Sequence, residues 1–217
     1  YMIPVADSDF IKKEQPIETL LKNGFESEEE YNTFRYSDYC FEKFINAAQE
    51  ESYFHNTIFV FVGDHGVAGN AQAVYPDVWT THRLTDEHVP FLIYAPYLLK
   101  PQRRSEVVSQ IDVLPTVASL VQQPYVNTTL GRNVLDTTRK HHFAFVTNTA
   151  GKIGLVTDEF YFTKNTLAFP DEQLVPIRYS TKAYTHQQRD SIQKRLSAHT
   201  TAIFETAKYM IMNNKKD

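Results

Sequence analysis

Asp64 and His65 are the two adjacent residues whose types could do chemistry together, enclosed by Gly63 and Gly66 in the run TIFVFVGDHG at 57–66. A carboxylate oxygen and a neutral imidazole nitrogen suit Zn²⁺ or Mn²⁺, and neighbours at a strand tip can converge on one ion when the chain turns sharply between them. Glycines on both sides permit that turn and the close approach of a substrate. A dipeptide of this kind also occurs without a metal, the acid capping a turn and the imidazole bonding a carbonyl. The setting favours the metal: a buried strand ends here and a long loop follows. Two ligands do not complete a site, so at least one more must come from elsewhere.

The elements that must position this pair are legible from periodicity. A short helix around IETLLKNG is ended by Gly24, and Ser27 with Glu28 to Glu30 supplies the start of a second helix running to about Glu51. Tyr31, Phe34, Cys40, Phe41, Phe44, Ile45 and Ala48 form its apolar stripe, with Cys40 read as core packing. TIFVFVG is rich in β-branched and aromatic residues and apolar on both faces, which predicts an interior strand of a parallel sheet covered by helices, and HVPFLIYAP reads as the next buried strand, stopped by Pro96. Residues 69–85 lack a usable period and read as a long functional loop. In VVSQIDVLPTVASLV a turn at 109–112 precedes a helix with Pro115 in its first turn. Ligands of open α/β sheets sit outside the carboxyl ends of the strands, which is where Asp64 and His65 stand.

Beyond about residue 140 the rhythm changes. HHFAFVTNT, KIGLVTDEFYFTK and LVPIRYS alternate apolar with polar, predicting antiparallel strands exposed on one face, and a last helix spans about 187–212. The 217 residues carry a formal charge of -4 with no broad basic stripe, which argues against nucleic acid as a partner. One cysteine excludes an internal disulfide framework and a thiolate zinc cluster. No window approaches the roughly 18 apolar residues of a membrane span, so the chain itself is expected to be soluble. Its first residues, YMIPVADSDF, read as the continuation of a longer precursor.

GDHG after an apolar strand, then HVPFLIYAP, SQIDVLPTVASLV and LGRNVLD, resembles in order and spacing the C-terminal half of sulfatase-like domains in the alkaline phosphatase superfamily. The nearest likeness is to lipoteichoic acid synthases and related phosphoglycerol or phosphoethanolamine transferases, and it covers about residues 30–136. YMIP itself looks like the continuation of a family segment of the type His-x-Pro-Tyr. The resemblance implies an α/β sandwich of a mostly parallel sheet between helices. Residues 1–138 would be the C-terminal part of the catalytic domain, and 139–217 an antiparallel-strand and helix subdomain packed on it.

The resemblance also implies that Asp64 and His65 bind a catalytic divalent ion, Mn²⁺, Zn²⁺ or Mg²⁺, with an upstream acid and an upstream nucleophile. That nucleophile is a threonine in the transferases and a formylglycine in sulfatases, and neither upstream element is found in this chain. Cys40, in YCFEKF, lacks the proline and arginine of the sulfatase modification signal. The N-terminal remainder of the same protein is thus the implied partner, a phospholipid headgroup or other phosphate or sulfate ester the substrate, and an extracytoplasmic, membrane-anchored setting the location. His82, seventeen residues after His65, matches loosely a loop histidine that contacts the transferred group or protonates the leaving oxygen. Arg83 is read either as a grip for an anionic headgroup or as a surface arginine. His88, Asp112 and Thr116 are read as structural, and His141 and His142 as opposite-facing residues opening a strand. Three functions remain open: phosphate-ester transfer or hydrolysis, sulfate-ester hydrolysis, and an inert binding domain of the same fold.

Overall fold

The structure, a computed structural model, describes residues 3, 9–138, 141–147, 151–166, 171–179 and 182–214. Apart from Ile3, the YMIP segment lies outside the described residues. The chain forms two compact units, 1–103 and 104–217.

In the first unit, helix α1 (Ile17–Lys22) stops where Gly24 adopts a positive φ of 86°. Helix α2 (Glu28–Gln49) starts at Ser27, whose hydroxyl accepts the Glu30 N–H, with three glutamates in the first turn where the helix dipole favours them. α2 lies against strand β1 (Phe59–Val62), Phe41 meeting Phe61 edge-on at 4.9 Å and Ala48 packing with Phe54 and Phe59. Cys40 corrects its sequence assignment, because it is exposed. At 3.6 residues per turn it stands roughly 100° around the helix from Phe41, off the flank that meets β1.

β1 pairs with β2 (Phe91–Tyr94) in antiparallel register, Phe59 opposite Tyr94 and Val62 opposite Phe91. The parallel pairing expected of these two runs is therefore corrected, and so is their complete burial: Val62 is 44% and Leu92 55% exposed. An apolar run on both faces signals what the strand can bury, and carries no information about strand direction. The segment expected as one long loop holds two short helical turns, α3 (Val78–Thr81) and α4 (Leu84–Glu87), each anchored by a buried residue, Trp79 and Leu84.

In the second unit a turn at 110–112 leads into α5 (Val113–Val121), as the sequence predicts. Strands β3 (Phe143–Thr147), β4 (Lys152–Thr157), β5 (Phe160–Asn165) and β6 (Glu172–Pro176) form an antiparallel meander in chain order. Its buried face, built on Leu155, Phe160, Phe162 and Leu174, takes Leu196 of α6 (His186–Asn213). Thr185 and Gln188 close a capping box at the start of α6, satisfying two backbone donors reciprocally. Asp112 and Thr116 have structural partners as expected. Thr116 donates to the Asp112 carbonyl and accepts the Val134 N–H, and the Asp112 carboxylate accepts N–H groups of Ser109 and Arg132. SQIDVLPT and LGRNVLD are thus two halves of one clamp.

Candidate metal centre

The tip of β1 is held by backbone contacts that only glycine admits. Gly63 N–H continues the ladder to Pro90 O, and Gly66 N–H donates to Asp86 O at 2.7 Å. A Cβ on Gly66 would stand 1.9 Å from Thr85 O and 2.8 Å from His88 O, so α4 and the chain after it rest directly on the GDHG turn. Gly66→Ala is expected to destabilise the protein by about 2 kcal/mol through overpacking against backbone. Thermal unfolding checks this; an unshifted transition would mean the turn is not pinned there.

Between the glycines, Asp64 and His65 project outward with side chains 90% and 79% exposed. His65 N–H donates to Asp64 Oδ1 at 2.9 Å, and His65 Nδ1 lies 2.8 Å from Gly66 O. A carbonyl oxygen only accepts, so in the neutral ring Nδ1 carries the proton and Nε2 the lone pair. A metal-binding imidazole is oriented in this way, one nitrogen tied to the backbone and the other presented outward. Nε2 is 3.8 Å from Asp64 Oδ2. Two donors each about 2.1 Å from a tetrahedral ion stand roughly 3.4 Å apart, so a small side-chain adjustment lets both reach one cation. The pair therefore fits a divalent ion as two of its ligands. Among the described residues no group of three or more His, Cys, Asp or Glu side chains is arranged to hold one.

Electrostatics tie the pair to the segment after α3. The His65 N–H holds the Asp64 carboxyl below its usual pKa. The Gly66 carbonyl, then the charges of Asp64 and Asp86, raise that of His65. Asp86 is thus an acid near the site that the sequence reading missed; its only signal was membership of the run TDEH at 85–88.

Arg83 binds Asp86 by two guanidinium nitrogens, Nε at 2.8 Å and NH2 at 2.6 Å from Oδ2. It does so from a left-handed backbone conformation, φ 54°, uncommon outside glycine and asparagine. Arg83 is 74% exposed and Asp86 25%. His82 is the residue that ends α3, its N–H bonded to Val78 O, and it immediately precedes Arg83 in the chain. His88 is structural: its ring meets Trp79 at 5.1 Å and Tyr75 at 6.0 Å, and burial lowers its pKa.

Residues 23–123 match the Sulfatase family model. That segment is similar to sulfatase sequences. It contains the β1 tip, Asp64, His65, His82 and Arg83. The lipoteichoic acid synthase-like YvgJ of Bacillus subtilis (strain 168) is 26% identical over 144 residues, which are 62% of this chain and 22% of that protein. Arylsulfatase K of Gallus gallus is 30% identical over 91 residues, 42% of this chain and 17% of that protein. The chain thus spans about a fifth of the length of these curated relatives. A crystal structure of an alkaline phosphatase superfamily protein from Vibrio parahaemolyticus superimposes with a TM-score of 0.64 at 19% identity, covering 96% of this chain and 46% of that one. The α/β fold is thus similar to that of this neighbour.

Proposed function

We propose that this chain, similar to sulfatases over residues 23–123, is the metal-holding part of an enzyme that transfers or hydrolyses a phosphate ester, with the nucleophile supplied by the N-terminal remainder of the same protein. One observation carries the reading: the rigidly seated β1 tip presents Asp64 Oδ2 and His65 Nε2 3.8 Å apart, with the imidazole tautomer fixed by Gly66 O. Asp64 and His65 would hold one divalent ion, Mn²⁺, Zn²⁺ or Mg²⁺, their other co-ligands coming from the N-terminal remainder. When bound, the ion supplies charge stabilisation to the nonbridging oxygens and lowers the pKa of a hydroxyl nucleophile.

The remaining work belongs to side chains of the 82–88 segment. Arg83, ion-paired to Asp86, would grip an anionic group by exchanging Asp86 for a substrate oxygen. His82 would contact the transferred group or donate a proton to the leaving oxygen. A phospholipid headgroup as donor and an extracytoplasmic, membrane-anchored setting are supported by the likeness to the lipoteichoic acid synthase-like relative. Among the described residues no helix is long and apolar enough to cross a membrane. A sulfate ester is the second reading, favoured by the match to Arylsulfatase K.

The test is turnover by the full-length protein of a glycerophosphodiester and an aryl sulfate, before and after chelation and after readdition of each metal. Phosphodiester turnover lost on chelation and restored by a divalent ion is the expected result. Preferred sulfate cleavage would select the second reading, and turnover untouched by chelation would refute the metal. This chain by itself is expected to retain metal weakly and to show no turnover.

A further inference from the structure

A separate cleft of about 420 Å³ opens in the second unit between α6 and the residues leading into β3. Its size falls in the range of small-molecule sites. One wall comes from α6, where Ile192, Arg195, Leu196 and His199 follow the i, i+3, i+4, i+7 spacing of a single helix face. The other comes from His141, His142 and Phe143 and from the turn between β4 and β5. β3 begins only at Phe143, so the strand alternation expected to send His141 and His142 to opposite faces does not apply, and both line this cleft.

The cleft's lining carries two carboxylates, Asp158 and Glu159, and one arginine, Arg195, beside three histidines. Its acids are already engaged: Asp158 accepts the Val107 N–H and faces His142 Nδ1 at 3.5 Å, while Glu159 accepts from Tyr184 and Lys182. Arg195, His141 and His199 have no carboxylate within ion-pair distance among the described residues. Behind them Arg132 is buried, its guanidinium 4.5 Å from the Phe143 ring centroid. Burial, then the positive charges of Arg132, Arg195 and His141, holds the His199 pKa below its usual value. The apolar part of the lining is Phe143, Phe160, Ile192 and Leu196, with Phe143 edge-on to His199 at 4.6 Å.

We propose that this cleft binds an organic phosphate monoester, its head at Arg195, His199 and His141 and its apolar body against Phe143, Phe160 and Leu196. Arg195 offers a bidentate, charge-assisted grip and each imidazole adds an N–H donor, a set that suits the three terminal oxygens of a phosphate. The ring-lined floor selects a ligand with an apolar body over the bare ion.

Calorimetric titration of phenyl phosphate into the 217-residue chain tests the proposal. An Asp64→Ala/His65→Ala background removes the candidate metal centre as the binder. Saturable binding is expected, weakened at least about fivefold by Arg195→Gln and by His199→Gln. Inorganic phosphate should bind about tenfold more weakly than phenyl phosphate, and phenol should not compete. In the chain with His141, His199 and Arg195 unchanged, the imidazole NMR signals of His141 and His199 should move with phenyl phosphate and stay still with phenol. This readout needs no cleft substitution to fold. Absence of saturable binding, equal affinity in both variants, or equal affinity for inorganic phosphate would each overturn the assignment.

Discussion

His65→Ala in the full-length protein is expected to lower turnover at least about a hundredfold and to reduce bound metal in parallel, with Asp64→Ala close behind. Loss of a partner that merely orients a metal ligand already costs about 10- to 100-fold, so loss of a ligand should cost at least the upper figure. Both side chains are exposed, and the hydrogen bonds described above lie within the β1 tip itself, so neither substitution should disturb the fold. This separates loss of chemistry from loss of structure. His65→Gln supplies an amide with weak donor power toward a cation and should fall nearly as far. Asp64→Asn keeps the oxygen that accepts the His65 N–H while removing the charge, and should retain more metal than Asp64→Ala. Elemental analysis and steady-state rates on the same preparations decide the matter. Unchanged metal and unchanged turnover in both alanine variants would remove the pair from the catalytic centre.

Much of the route to this site was legible before any coordinates. Ser27 and its glutamates located the start of α2, the glycines around Asp64 and His65 marked a close-packed turn, and Pro115 marked α5. These are local effects, set by backbone chemistry within a few residues. What escaped was set by distant partners. The direction of β1 relative to β2 depends on how the intervening chain returns, which neither strand encodes. The helical turns α3 and α4 are four residues each, too short to express a period, and are held by burial of Trp79 and Leu84. Asp86 became visible near His65 only because its carbonyl receives Gly66 N–H across twenty residues of chain. The basic cleft was hidden for a similar reason: its histidines come from α6 and from the segment before β3, far apart in sequence.

Asp112→Ala should produce the largest loss of stability, about 3–5 kcal/mol. Asp112 is 2% and Arg132 7% exposed. The carboxylate accepts the Ser109 and Arg132 N–H groups at 2.9 Å each, and Arg132 Nε lies 3.9 Å from Oδ2. Alanine would leave two backbone donors without their acceptor, each costing about 1–3 kcal/mol where water cannot replace it. The buried guanidinium would lose its carboxylate at the same time. Arg132 would keep its hydrogen bonds to the His141 and Phe143 carbonyls while its buried charge loses the Asp112 carboxylate. Arg132→Met removes that charge and retains an apolar stem against Phe143, so it should cost less. In Asp112→Ala/Arg132→Met the total should fall below the sum of the single effects, because the second substitution removes the charge that the first strands. Denaturant unfolding of the four proteins measures the coupling. Strict additivity, or an Asp112→Ala cost within about 1 kcal/mol, would show that the clamp joining SQIDVLPT to LGRNVLD is held by backbone packing alone.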